Sequence, residues 1–141
     1  AVSADAIILG SPIYFGSITG AMRSFLERLM FPYSVYAPGY PSLFGRKMQT
    51  GFIYTMNITN EQMKDLGYEQ GLKSSEMAMK RIFGSFESLT VNDTYQFDDY
   101  SKYVVTVFDE KKKANVRKEQ FPKDCQAAFD MGVRFAKQTN L

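Results

Sequence analysis

The chain has no histidine, no tryptophan and one cysteine, Cys125. Without histidine the commonest general base is missing. Ser-His-Asp and Cys-His nucleophile arrangements are therefore excluded. A single cysteine rules out an internal disulfide framework and fits a reducing, cytoplasmic setting. It also leaves no His/Cys metal site within one chain. The 17 Lys+Arg and 15 Asp+Glu nearly cancel, to a net charge of +2. No sustained basic face of the kind nucleic-acid binding needs is present. No apolar run approaches the ~20 residues of a membrane span, and no signal peptide is visible. Proline is sparse, and Pro32, Pro38 and Pro41 crowd into one stretch with Tyr33, Tyr36 and Tyr40. That stretch reads as an irregular surface loop.

What is present is the material of one globular domain: 141 residues, 45% hydrophobic, with 12 Phe and 9 Tyr. Ala6-Ile7-Ile8-Leu9 is apolar without alternation, as in a strand buried on both faces of a parallel sheet. Gly10-Ser11-Pro12 should stop it, since Pro12 lacks an N–H and biases Ser11 towards an extended conformation. A Gly-rich aromatic loop follows. Then Ile18, Met22, Phe25, Leu26 and Leu29 recur three or four apart, the stripe of an amphipathic helix. Strand, loop and helix make half of a βαβ unit. In open α/β sheets ligands sit beyond the carboxyl ends of the strands, which singles out the Ser11–Thr19 loop.

Lys47–Met56 reads as the next strand and brings Thr55, Met56 and Asn57 to the same sheet edge. Residues 60–72 predict a short helix and a turn. Ser74 or Ser75 should cap a helix that Gly84 ends. Glu87–Val91 and Thr94–Phe97 predict a last strand region kinked at Asn92-Asp93. Asp98 and Asp99 would cap a short helical segment, Tyr100–Phe108. The charge run 110–119 reads as a solvated loop. A final helix starts at Phe121, with Pro122 in its first turn. Its stripe of Cys125, Ala128, Phe129, Gly132, Phe135 and Ala136 should face the sheet, with Gly132 permitting close approach and Cys125 serving as packing. Asn57-Ile58-Thr59 and Asn92-Asp93-Thr94 match glycosylation sequons by chance.

No paired carboxylates sit in the candidate loop. If the protein is an enzyme, a cofactor should carry the hard chemistry. On the residues alone, Ser11-Pro12-Ile13-Tyr14-Phe15-Gly16 reads equally as a βα connection whose aromatics cap the core or as the wall of a site for a planar ring. A phospho-acceptor receiver domain would want an Asp at this strand end, and Gly10-Ser11-Pro12 supplies none.

The segment SPIYFGSITGAMRSFLERL resembles the third strand, loop and helix of the flavodoxin-like NAD(P)H-dependent FMN reductases. That group includes multimeric flavodoxin-type quinone reductases and iron–sulfur flavoproteins. The shared pattern is Ser-Pro-x-Tyr, a small-residue loop, and a helix with basic and aromatic residues, here Arg23, Phe25 and Arg28. The resemblance implies a flavodoxin-like three-layer α/β/α fold with a parallel sheet of order 2-1-3-4-5. It implies FMN as cofactor and NAD(P)H as electron donor. It places Ser11, Pro12, Ile13, Tyr14, Phe15 and Gly16 against the isoalloxazine ring, with Thr55, Met56 and Asn57 as secondary contacts. Tyr14 and Phe15 would form the apolar wall, and backbone N–H groups of Ile13 to Gly16 would meet the ring's polar edge. No catalytic side chain is expected.

In that family the loop after the first strand holds the FMN phosphate, and the cluster cysteines of the iron–sulfur members also precede the Ser-Pro-x-Tyr loop. Neither lies between Ala1 and Ala6. Residues 1–141 are therefore expected to form a single partial domain, the C-terminal two-thirds, lacking the first two strands. Ala6–Leu9 would then be an open edge, covered by a rearranged element or a longer native chain, or paired in a homo-oligomer. Two functions stand. One is an FMN-dependent NAD(P)H oxidoreductase that passes hydride through a flavin stacked on the Ser11–Gly16 loop to a small acceptor, a quinone or free flavin. The other is a truncated flavodoxin-like module that binds no flavin and acts as a structural or dimerisation domain.

Overall fold

The computed structural model describes residues 3–139. Three strands run parallel and side by side: β1 (Ala6–Tyr14), β3 (Gln49–Thr55) and β4 (Glu87–Val91). A two-residue strand, β2 (Ser17–Ile18), turns back antiparallel on the outer edge of β1, so the sheet order is β2-β1-β3-β4. Ser11 stands opposite Tyr54 and Pro12 opposite Thr55, while Thr55 stands opposite Val91. That register brings the carboxyl ends of all three strands level on one rim. Helix α1 (Gly20–Met30) connects β1 to β3. The short α2 (Asn60–Asp65) and the longer α3 (Tyr68–Phe83) connect β3 to β4. After β4 come α4 (Glu110–Glu119) and α5 (Phe121–Thr139). Helices cover both faces, and the fold is the expected flavodoxin-like α/β arrangement.

The two faces are packed differently. On the α1/α3 face, Leu26, Phe52, Tyr54, Met79 and Phe83 are buried in one cluster, and the Phe52 and Tyr54 rings stack at 4.5 Å. Burying each such side chain contributes roughly 1.5–3 kcal/mol. On the other face, α5 settles over Gly51. A Cβ there would lie 2.9 Å from Met131 Sδ and 3.0 Å from the Phe135 ring, so glycine lets these two side chains of α5 pack directly onto the strand backbone.

Several expectations are corrected. β1 does not stop at Gly10-Ser11-Pro12; it continues to Tyr14. Proline is tolerated because β1 is an edge strand along most of its length. For the same reason Ile8 is 39% exposed, not buried on both faces. Helix α3 starts at Tyr68 after Gly67 in the left-handed region, which puts Ser74 and Ser75 in mid-helix. Gly84 ends it as expected, at φ 90°. Thr94–Phe97 is not strand, because Asp93 turns the chain at φ 56°. Tyr100–Phe108 supplies only the single turn Tyr100–Lys102, with Asp99 accepting from the Ser101 N–H. The charge run 110–119 is α4, not a loop; Asp109 accepts the N–H groups of Lys111 and Lys112 and starts it. On α5 the inward face centres on Met131 and Phe135. At ~100° per residue, Phe129 and Cys125 lie ~160° and ~120° round the helix from Met131, and both are exposed. The close helix–sheet approach is at Gly51, whereas nothing lies within 4 Å of a Cβ on Gly132.

Candidate functional site

The first wall of the site is the β1–β2 hairpin. Tyr14 pairs with Ser17, leaving Phe15 and Gly16 as a two-residue turn. Both have positive φ, 52° and 77°. That is the twist a tight hairpin prefers, with glycine suited to it and phenylalanine strained. The Phe15 side chain is fully exposed, and Tyr14 is more than half exposed. Gly16 packs against Tyr68 of α3, whose ring would be 3.0 Å from an added Cβ, and its carbonyl sits against Gly71. Beneath the hairpin, buried Ser11 donates to the Pro12 carbonyl at 2.9 Å and accepts the Thr19 N–H at 3.2 Å. Thr19 Oγ1 accepts the Met22 N–H in turn, so one short relay fixes strand, hairpin and the start of α1.

The second wall comes from the loop after β4. The Thr94 N–H and hydroxyl both donate to the Met56 carbonyl at 3.1 Å, and the Met56 N–H donates to the Val91 carbonyl. The Asp93 N–H donates to the Ile58 carbonyl at 2.9 Å. Asn57 Nδ2 donates to Gln96 Oε1. The Gln96 N–H donates to the hydroxyl of buried Tyr100 at 3.1 Å. The loops after β3 and β4 are thereby bonded into one layer.

Between the walls lies a slot of about 170 Å³. Pro12, Ile13 and Tyr14 line one side, Thr55, Met56 and Asn57 the floor, and Thr94, Tyr95 and Gln96 the other side. Thr55, Thr94 and Tyr95 also border a second cavity of about 260 Å³, closed by Val116, Arg117, Phe121 and Asp124 of α4 and α5. The Arg117 guanidinium stacks over the Tyr95 ring at 5.0 Å. Together the two reach the size of ordinary small-molecule pockets, roughly 300–1,000 Å³.

The structure thus gathers Pro12, Ile13, Tyr14, Thr55, Met56 and Asn57 around one slot. Ser11 supports it from below, while Phe15 points into solvent and Gly16 faces Tyr68. Sequence reasoning missed Thr94, Tyr95 and Gln96, whose signal was the turn-forming Asn92-Asp93 pair just before them. The slot is lined by no carboxylate, ammonium or guanidinium. It offers amides, hydroxyls and aromatic faces, which suit the rim of a neutral planar heterocycle and not a phosphate. In the core on the α1/α3 face, burial first and then the Glu76 carboxylate raise the Tyr54 phenol far above its usual range, so it stays neutral. Among the described residues no group of three or more His, Cys, Asp or Glu could hold a metal ion, and no helix is long and apolar enough to cross a membrane.

Residues 1–53 match the NADPH-dependent FMN reductase family. No curated protein matches the chain. The span matched to the FMN reductase family contains β1, the hairpin, α1 and most of β3. It includes the Ser11–Gly16 segment on which the resemblance rests and ends just before Thr55. The wall built by Thr94, Tyr95 and Gln96 lies outside it.

Proposed function

We propose that the protein is a flavin-dependent NAD(P)H oxidoreductase of the FMN or quinone reductase type, with the flavin ring seated in the slot between Tyr14 and Tyr95. One observation carries the reading: a slot with two tyrosines, amides and hydroxyls but no ionised side chain, at the rim of a parallel sheet, beside a segment similar to FMN reductases. Such a lining binds and orients a planar cofactor without supplying an acid or base. When bound, the flavin supplies hydride transfer from NAD(P)H to a small acceptor such as a quinone or free flavin. The chain's own part is positional. Tyr14 and Tyr95 flank the ring, Asn57 and Gln96 present amides to its polar edge, and Pro12 and Ile13 keep water from one side. The phosphate would be held outside the slot.

The outer edge of β1 from Ala6 to Pro12 has no strand partner among the described residues. We infer that this edge is where a further strand, from a second copy or from additional chain, joins the sheet.

The test is titration of FMN with the protein, followed by flavin fluorescence and visible absorption. Quenching and a resolved shoulder on the absorption band, with NADPH oxidation in the presence of a quinone, are expected. Unchanged fluorescence at millimolar protein would overturn the assignment.

A further inference from the structure

Lys113 is the least expected buried group in the molecule. It sits in a run of three lysines, yet it is 3% exposed while Lys111 and Lys112 are exposed. Its Nζ reaches Asp93 Oδ1 at 2.5 Å, the Asn57 carbonyl at 2.5 Å and the Thr94 carbonyl at 3.3 Å. The Phe108 ring lies 5.0 Å from Nζ. The three oxygens come from the two loops that form the floor and second wall of the slot. An ammonium has three donors, and here all three are used. Burying a cation is costly unless it is paired and hydrogen-bonded. A solvated lysine would serve α4 at less cost, so this placement needs a structural return.

Among the described residues, the other hydrogen bonds between the two loops are backbone bonds of Met56, Asp93 and Thr94, the bond from the Thr94 hydroxyl to the Met56 carbonyl, the Asn92 amide and the Asn57–Gln96 amide pair. None of them involves α4. We propose that Lys113 is a positioning residue that locks the Asn57 and Thr94 loops together and to α4, so setting the width of the slot. Lys113 is not itself among the residues that line the slot; it acts through the backbone carbonyls of Asn57 and Thr94. Its effect on cofactor binding rests on the flavin reading above, whereas its effect on loop order does not.

Four variants are compared by amide hydrogen exchange and by FMN titration: Lys113→Met, Lys113→Arg, Asp93→Asn and, as a control on the exposed side of α4, Lys111→Met. In Lys113→Met the amides of Met56, Asp93 and Thr94 should exchange at least tenfold faster, while Gly51–Tyr54 in the core of β3 keep their protection. FMN should bind about tenfold more weakly. Lys113→Arg, which keeps the charge and donors, should restore both. Asp93→Asn retains the left-handed turn, which asparagine tolerates, and the two carbonyl contacts, so it should fall in between. Lys111→Met should match the parent. Unchanged exchange in Lys113→Met overturns the proposal, and so does an equal loss of protection throughout β3, which would mark a merely global effect. If the parent chain binds no FMN, the flavin reading fails while the exchange data still decide the role of Lys113.

Discussion

The Pro12–Tyr14 wall rides on a strand bonded to β3 in continuous register from Ala6 to Pro12. The Thr94–Gln96 wall has no strand beneath it and is held by isolated bonds to Met56, Tyr100 and Lys113. The first wall is thus an extension of the sheet and inherits the stability of the core. The second is a loop whose order depends on a few polar groups, of which Met56 and Lys113 are distant in sequence. A site with one fixed side and one tethered side can hold a ring in a defined plane and still adjust its width.

The largest test of that contrast strikes the element both walls share. Phe52→Ala removes a fully buried ring from β3 and should cost about 3–5 kcal/mol in urea unfolding. A loss below ~1 kcal/mol would mean that the core on the α1/α3 face does not support the site. Ser11→Ala is narrower. It strips the Thr19 N–H of its acceptor and the Pro12 carbonyl of a donor, for about 1–3 kcal/mol. Faster exchange should appear at Thr19 and Met22 but not at Thr94, because the relay belongs to the first wall alone; spread to Thr94 would break the distinction between the walls. Tyr54→Phe is the smallest. The hydroxyl is buried without a well-formed hydrogen bond, so its removal should leave stability near pH 7 almost unchanged. Tyr54's folded pKa lies above the ordinary 10.0. Below pH 10 the phenol is protonated in both states and contributes no slope. Above it the unfolded chain releases the proton while the folded chain keeps it, so stability falls as pH rises. Melting temperatures of parent and Tyr54→Phe should coincide to about pH 9 and separate above pH 10, with the parent lower. Parallel curves would show that Tyr54 is not shielded as described.

What was legible in the sequence follows the same division. The run from Ala6, the stripe through Leu26 and the rim residues Thr55, Met56 and Asn57 were readable because strand and helix periodicity is local. Pro12 misled because a proline signals a stop without saying whether the strand is central or at an edge. Thr94 and Tyr95 carry β-favouring side chains, yet one residue, Asp93, turns the chain at φ 56° and takes them and Gln96 out of the sheet. Lys113 was hidden by its neighbours: a lysine run ordinarily means solvent, and its partners are 20 and 56 residues away. The available clue was that Lys113 lies three positions from Val116, on the one face of α4 that carries an inward apolar residue. On α5, six apolar or small positions looked like one stripe, but the helix presents only the Met131–Phe135 side.

The hollow at Gly51 reaches further than its own contacts. Met131 rests in it, and ten residues earlier on the same rigid rod Phe121 borders the larger cavity, roughly 15 Å away. A single methyl at position 51 would act as a wedge under Met131 and Phe135, and because both side chains are already packed tight, whatever part of the push they do not absorb passes along α5 to a chamber the methyl never touches.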